Sequence, residues 1–105
     1  MSGEAEVVSP AQQLGMLLAD CRKKAGLNQA QAAEQMGIAA STISLHEGGE
    51  RLPELFRLED YLELYDVSAD ARVRAVGLLA AIQRARAVAR GVAASYHVSR
   101  AEGAA

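Results

Sequence analysis

A chain of 105 residues is long enough for one small domain and too short for two ordinary ones. Half of the residues are apolar but only 4% are aromatic, so we expect a single, aliphatic and helical core. The single cysteine excludes an internal disulfide and a cysteine-based metal cluster, and the lack of a long apolar run excludes a membrane span.

The net charge of −2 is unevenly distributed along the chain. Residues 1–70 hold five Lys/Arg against twelve Asp/Glu, a net charge of −7, whereas residues 71–105 hold six Arg against Glu102, a net charge of +5. An acidic body is therefore followed by a basic segment. Residues 1–8 contain no Lys or Arg and so do not resemble a signal peptide, which predicts a cytoplasmic protein.

The first predicted helix begins at Ser9-Pro10, because a serine N-cap, a proline in the first turn and Gln12 together form a capping-box pattern. Gly26 is placed to end this helix in a left-handed cap. Cys21 falls on the apolar face of the helix, where we expect a buried and unreactive thiol. That face is formed by Leu14, Leu17, Leu18 and Cys21.

Two short helices follow. Asn28 with Gln31 repeats the capping pattern and predicts a second helix from Gln29 to Met36, which Gly37 ends. A third helix is predicted from Ala40 to Glu47, with Gly48-Gly49 as its stop.

A fourth amphipathic helix is predicted after Pro53. Its apolar residues recur at helical spacing and are Leu55, Leu58, Leu62 and Tyr65. The fifth helix is predicted to run from Ala69, after a Ser68 cap, to about Ser95, with a break near Gly91. Residues 1–8 and 98–105 lack periodicity and are expected to be flexible.

The second and third helices, joined by a turn that contains glycine, are typical of a helix-turn-helix. Ala33 is small enough for another helix to cross the second helix closely. Gly37 permits the positive φ of a tight turn. Ile38 and Ile43 would hold the third helix from within, leaving its other side free to enter a major groove.

Residues 27–49 resemble the core of the lambda-repressor/Cro-like, or XRE, regulators. Residues 64–67, which lead into Ala71 and Arg72, resemble actinomycete members in which such a domain precedes a larger one. The resemblance implies an all-α fold, a five-helix lambda-repressor-like domain over residues 9–75, followed by a C-terminal helix over residues 76–97. The matches are Gln29, Gly37, the run from Ser41 to Ser44, Glu47, Gly49 and Pro53.

The resemblance also implies roles in binding double-stranded DNA. Gln29 would contact the phosphate backbone and support the reading helix, and Thr42 would lie near a phosphate. Arg51 is the single basic residue in the loop after the third helix. Because no residue with bidentate reach faces the bases and cations are few, we expect weak, strongly salt-sensitive binding by a monomer. The residues expected to face base edges are Ala40, Ser41, Ser44 and Leu45.

The last helix carries a thin apolar seam at alternating spacings of three and four, which is the pattern of a heptad repeat. Its arginines lie on the other faces of the helix. The helix could therefore pair with the same helix of a second copy or with an acidic surface of a partner protein. The seam predicts a homodimer that reads a pseudo-palindromic site. Its residues include Leu78, Ile82, Ala85, Ala89 and Val92.

An alternative interpretation keeps the fold and changes the role. The protein would then be a protein-protein interaction module, partner-binding or an antitoxin-like adaptor, that uses the C-terminal helix. An enzyme is not expected, because no nucleophile or phosphate loop accompanies the carboxylates of the fourth helix, from Glu59 to Asp66. His46 and His97 lack further ligands at metal spacing, and His46 is expected at the edge of the third helix.

Overall fold

A computed structural model describes the backbone of residues 7–104 and the side chains of residues 7–91. Within that range the fold is all-α, and the first four helices lie where the capping and periodicity patterns place them. The helices are α1 (Pro10–Lys24), α2 (Gln29–Met36), α3 (Ala40–Glu47), α4 (Leu55–Leu64) and α5 (Ala69–Ala104).

Both capping boxes form as the sequence predicts. The Ser9 hydroxyl accepts from the Gln12 amide, and the Gln12 side chain accepts from the Ser9 amide. Asn28 and Gln31 make the same reciprocal pair at the start of α2. These bonds satisfy amides that the first turn of a helix would otherwise leave unpaired, so they fix where α1 and α2 begin.

α1 lies at the centre of the domain and packs against α3, α4 and α5. Its buried face is the predicted one, and Cys21 is buried within it. Burial raises the pKa of the Cys21 thiol, which keeps it in the unreactive protonated form. The largest fully buried side chains of the core are Leu14, Leu18, Ile43, Leu58, Tyr61, Leu62 and Leu79.

α5 differs from its predicted course. It continues without a break past Gly91 to Ala104, so the expected break is not seen, whereas the flexibility of residues 98–105 stays a prediction. One glycine costs only about 1 kcal/mol relative to alanine in a helix, and the alanines and arginines around Gly91 are strong helix formers. Local propensity therefore outweighs the glycine, and the 36 residues of α5 span roughly 54 Å at 1.5 Å each.

The predicted dimer seam on α5 is partly used inside the chain. Ile82 is only 6% exposed, because it packs on the domain together with Leu79, so it is not free to serve as an interface residue. The packed core thus continues past the predicted domain boundary at residue 75. Leu78 is half-buried, Ala85 and Ala89 are exposed, and the side chain of Val92 lies outside the described residues.

Gly15 is a close-contact position that periodicity does not reveal. A Cβ built there would overlap the Glu47 carbonyl and lie 2.6 Å from the His46 carbonyl oxygen, so α1 and α3 touch through backbone atoms. We expect Gly15→Ala to destabilise the protein by about 1–3 kcal/mol through overpacking. Urea-induced unfolding would measure this loss.

Gly77 provides the matched control, because nothing lies within 4 Å of the Cβ that alanine would add there. Gly77→Ala in the middle of α5 should stabilise the protein by about 0.5–1 kcal/mol. Equal effects of the two substitutions would contradict the close approach of α1 and α3.

Candidate nucleic-acid interface

The turn between α2 and α3 sets the angle at which α3 leaves the domain. Gly37 adopts the left-handed conformation, with φ of +69°, and the Ile38 amide donates to the Ala33 carbonyl at 3.0 Å. Ala33 is buried beneath this turn, and Ile43 is fully buried. These four residues have the roles expected of them, so the inner side of α3 is anchored at the turn and at its middle.

The opposite side of α3 is exposed to solvent. Ala40, Ser41 and Ser44 are exposed, while Thr42 and Leu45 are half-buried at its edges. Within the described part of the chain, neither Ser41 nor Ser44 hydrogen-bonds through its hydroxyl. The predicted reading face is therefore presented outward, with unused hydrogen-bonding groups. We call this surface, formed by Ala40, Ser41, Ser44 and Leu45, the α3 face.

A charged network that the sequence patterns did not predict holds the end of α3. The guanidinium of Arg22 on α1 donates from Nε to Glu47 Oε2 at 2.7 Å and from Nη2 to Glu47 Oε1 at 3.0 Å. A third donor, Nη1, reaches the Leu27 carbonyl at 2.9 Å. The two side chains of the pair are only 9% and 8% exposed. The hydrogen bonds to Glu47 raise the pKa of Arg22, so the guanidinium keeps its charge and fixes α3 to α1.

Gln29 joins the same network. Its Nε2 donates to Glu47 Oε1 at 2.9 Å, so the first residue of α2 is tied to the last residue of α3. This contact provides the support for the reading helix that the resemblance implies. A phosphate contact by Gln29 stays a prediction.

His46 is buried, not at the edge of α3 as expected. It is 5% exposed, its Nδ1 lies 2.7 Å from the Tyr61 hydroxyl, and the two rings meet edge to face. Burial lowers the pKa of His46, and the nearby positive charges of Arg51 and Arg57 lower it further. Burial also raises the pKa of Tyr61 to about 12, so both partners are neutral near pH 7, and the imidazole tautomer determines which of them donates.

The lowered pKa of His46 predicts a loss of stability in mild acid. The unfolded chain binds a proton near pH 6.5 whereas the folded protein resists it, so stability is full above that pH and falls as the pH drops below it. One proton limits the slope to about 1.4 kcal/mol per pH unit. Urea unfolding between pH 7.5 and 5.5 would measure it. His46→Gln should flatten the profile in this window, and equal slopes for the two proteins would contradict the assignment.

A shallow cavity of about 380 Å³ lies between α3 and the start of α4. It is lined by Thr42, His46, Arg51, Leu52, Glu54 and Arg57. Sequence reasoning selected Thr42 and Arg51 but missed Arg57, because only the fold brings α4 beside α3. The Thr42 hydroxyl and the Arg51 guanidinium can meet a phosphate oxygen here, whereas the Glu54 carboxylate repels it and Arg57 already pairs with Asp60 at 3.6 Å.

The carboxylates of α4 face solvent, as expected. Glu59, Asp60, Glu63 and Asp66 are all exposed, away from the buried side of the helix. In residues 7–91 no group of three or more His, Cys, Asp or Glu side chains is placed to hold a metal ion. None of the helices in the described part of the chain combines the length and apolar character needed to cross a bilayer.

A short, outward-facing helix after a glycine turn is typical of the helix-turn-helix class of fold. The family model for a helix-turn-helix domain matches residues 13–75, more than half of the chain, and the protein belongs to this family. The match agrees with the resemblance to the lambda-repressor/Cro-like regulators. Comparisons with curated proteins and with solved structures gave no match.

Proposed function

We propose that the protein is a sequence-specific transcriptional regulator that inserts the α3 face into the major groove of duplex DNA. The observation that carries this proposal is the exposure of Ala40, Ser41 and Ser44 on a helix whose opposite side is anchored by Ile43 and Glu47. A helix held in this way can enter a groove without losing its packing.

The chemistry of the α3 face suits modest base readout. The hydroxyls of Ser41 and Ser44 can donate to or accept from base edges, and Ala40 and Leu45 can contact thymine methyl groups. Phosphate contacts would come from Gln29 at the start of α2 and from Thr42 and Arg51 beside the shallow cavity. With so few cations, affinity is expected to be weak and to fall steeply with salt.

Two copies would bind together as a homodimer. Each would place its α3 in successive major grooves, about one helical turn or roughly 34 Å apart, on a pseudo-palindromic site. Doubling the contacts offsets the weakness of each reading helix. The exposed Ala85 and Ala89 support a contact between α5 helices beyond the domain body.

Selection of bound sequences from a random duplex pool tests this function. The wild type should enrich a motif with two related half-sites, whereas Gln29→Ala combined with Ser44→Glu should enrich none. Thermal unfolding would verify that the variant is folded. A motif that survives both changes would remove the assignment of α3 as the reading helix.

The long α5 favours one rival, a module that binds another protein. In the part of α5 whose side chains are described, residues 83–90 beyond the buried Ile82 are exposed and offer a surface that a partner could use. This rival predicts no binding to random duplex even at low ionic strength, whereas a regulator binds nonspecifically there. A salt titration of duplex binding therefore separates the two functions.

A further inference from the structure

The part of α5 that extends past Ile82 is basic. Arg84, Arg86 and Arg90 are all exposed, and the sequence contains no carboxylate between Asp70 and Glu102. The described side chains of this segment are otherwise mostly small or apolar. Its charge therefore has no partner within the helix itself.

The fold brings this basic segment to the corner where α3 ends. A shallow cavity of about 310 Å³ is lined by Arg86 and Ile82 of α5, by the first residues of α1 and by Gly49. Gly49 packs directly on α1, since a Cβ there would lie 2.8 Å from the Gln12 Cα. Arg51 follows Gly49 by two residues and is at most about 7 Å away along the chain. Arg86 and Arg51 therefore flank the same corner of the domain.

Arg90 extends this surface by one helical turn. Ile82, Arg86 and Arg90 follow one another at intervals of four, so they share one side of α5, the side that packs on the domain at Ile82. Arg86 lies at the edge of the domain, and Arg90 lies about 6 Å further along the axis. We call Arg86 and Arg90 the α5 arginine pair.

The acidic face of α4 lies far from this corner. The carboxylates of α4 are near the start of α5, whereas Arg86 follows Ala69 by 17 residues, about 25 Å along the helix axis. The α5 arginine pair therefore cannot be neutralised by the acidic face of its own domain.

We infer that the α5 arginine pair contacts the phosphate backbone of the duplex whose major groove receives the α3 face, beyond the contacts made by Arg51. This inference rests on the proposed function and adds two phosphate contacts to it. The corner then carries three arginines against Glu50, which compensates for the shortage of cations on α3. The partner is the DNA backbone, so these contacts raise affinity without reading sequence.

The salt dependence of binding tests the inference with a charge-matched control. Arg86→Gln with Arg90→Gln removes two charges from the corner, and Arg72→Gln with Arg74→Gln removes two from exposed positions near the other end of α5. Each phosphate contact contributes a slope of about −0.9 to log K against log salt. The first variant should reduce the wild-type slope by about two, with the same selected motif, and the second should leave it unchanged. Fluorescence anisotropy with a duplex of at least 20 base pairs would measure both.

Four results would overturn the inference, and they can be told apart. Equal slopes for the wild type and for Arg86→Gln with Arg90→Gln would refute the arginine contacts while leaving the proposed function intact. An equal reduction by both double variants would mean that only overall charge matters. Loss of self-association in sedimentation without a change of slope would assign the pair to a protein interface. A wild type that binds no duplex would remove the proposed function and the inference together.

Discussion

Replacement of Ser44 by glutamate should abolish specific DNA binding without unfolding the protein. Ser44 is exposed in the middle of the α3 face, and its hydroxyl has no hydrogen-bond partner in the described part of the chain. A carboxylate there would face the phosphates and base edges of the groove, where it is repelled and stripped of water. A single base contact is worth about 1–3 kcal/mol, so loss of the contact together with repulsion predicts a decrease in affinity of roughly 100-fold or more.

Ser44→Gln separates charge from size in this experiment. Glutamine is as large as glutamate but neutral, and it can hydrogen-bond bases, so this variant should still bind duplex while selecting a different sequence. Binding isotherms on the selected site and thermal unfolding of both variants are the measurements. Undiminished binding by Ser44→Glu would exclude the α3 face as the reading surface.

The second large effect concerns stability. Glu47→Ala should destabilise the protein by about 3–5 kcal/mol, because it leaves the Arg22 guanidinium buried without its counter-charge. Arg22 would keep only its hydrogen bond to the Leu27 carbonyl, and Gln29 would lose its contact with α3. DNA affinity should fall as well, since the end of α3 would no longer be fixed. Urea unfolding measures the first effect, and duplex binding the second.

An exposed ion pair on the same helix as Arg22 is the control. Asp20 and Lys24 form a pair of 3.2 Å whose side chains are 59% and 78% exposed, so Asp20→Ala should cost less than about 1 kcal/mol. A double replacement, Arg22→Met with Glu47→Leu, should be far less damaging than Glu47→Ala, because no buried charge is left alone. If Glu47→Ala and Asp20→Ala lowered the free energy of unfolding by similar amounts, the buried pair would contribute no more to stability than the exposed one.

Local signals were sufficient to predict most of the helices. The boxes at Ser9 and Asn28 and the glycine at 37 act within a few residues, so they could be read without knowledge of the fold. The end of α5 could not be predicted in this way, because no strong cap follows it and Gly91 is a weak breaker. The burial of Ile82 could not be predicted locally either, because it depends on α5 packing across the domain.

The candidate site was predictable only on its outer side. Helical periodicity with Ile43 inward predicts that Ser41 and Ser44 face outward, and the structure agrees. The pairing of Arg22 with Glu47, 25 residues apart, leaves no periodic signal, although Glu47 was noted through the family resemblance. The positions of Arg57 and Arg86 beside the α3–α4 loop likewise depend on long-range packing.

The contact of α1 with α3 through Gly15 and Glu47 separates what the domain recognises from what keeps it folded. The side chains that hold α3 lie on one side of it, and the hydroxyls of Ser41 and Ser44 on the α3 face take no part in that support. Exchange of Ala40, Ser41, Ser44 and Leu45 for the matching residues of another helix-turn-helix protein should therefore transfer that protein's target preference at little cost in folding. Such a domain is free to acquire new targets while its interior stays unchanged.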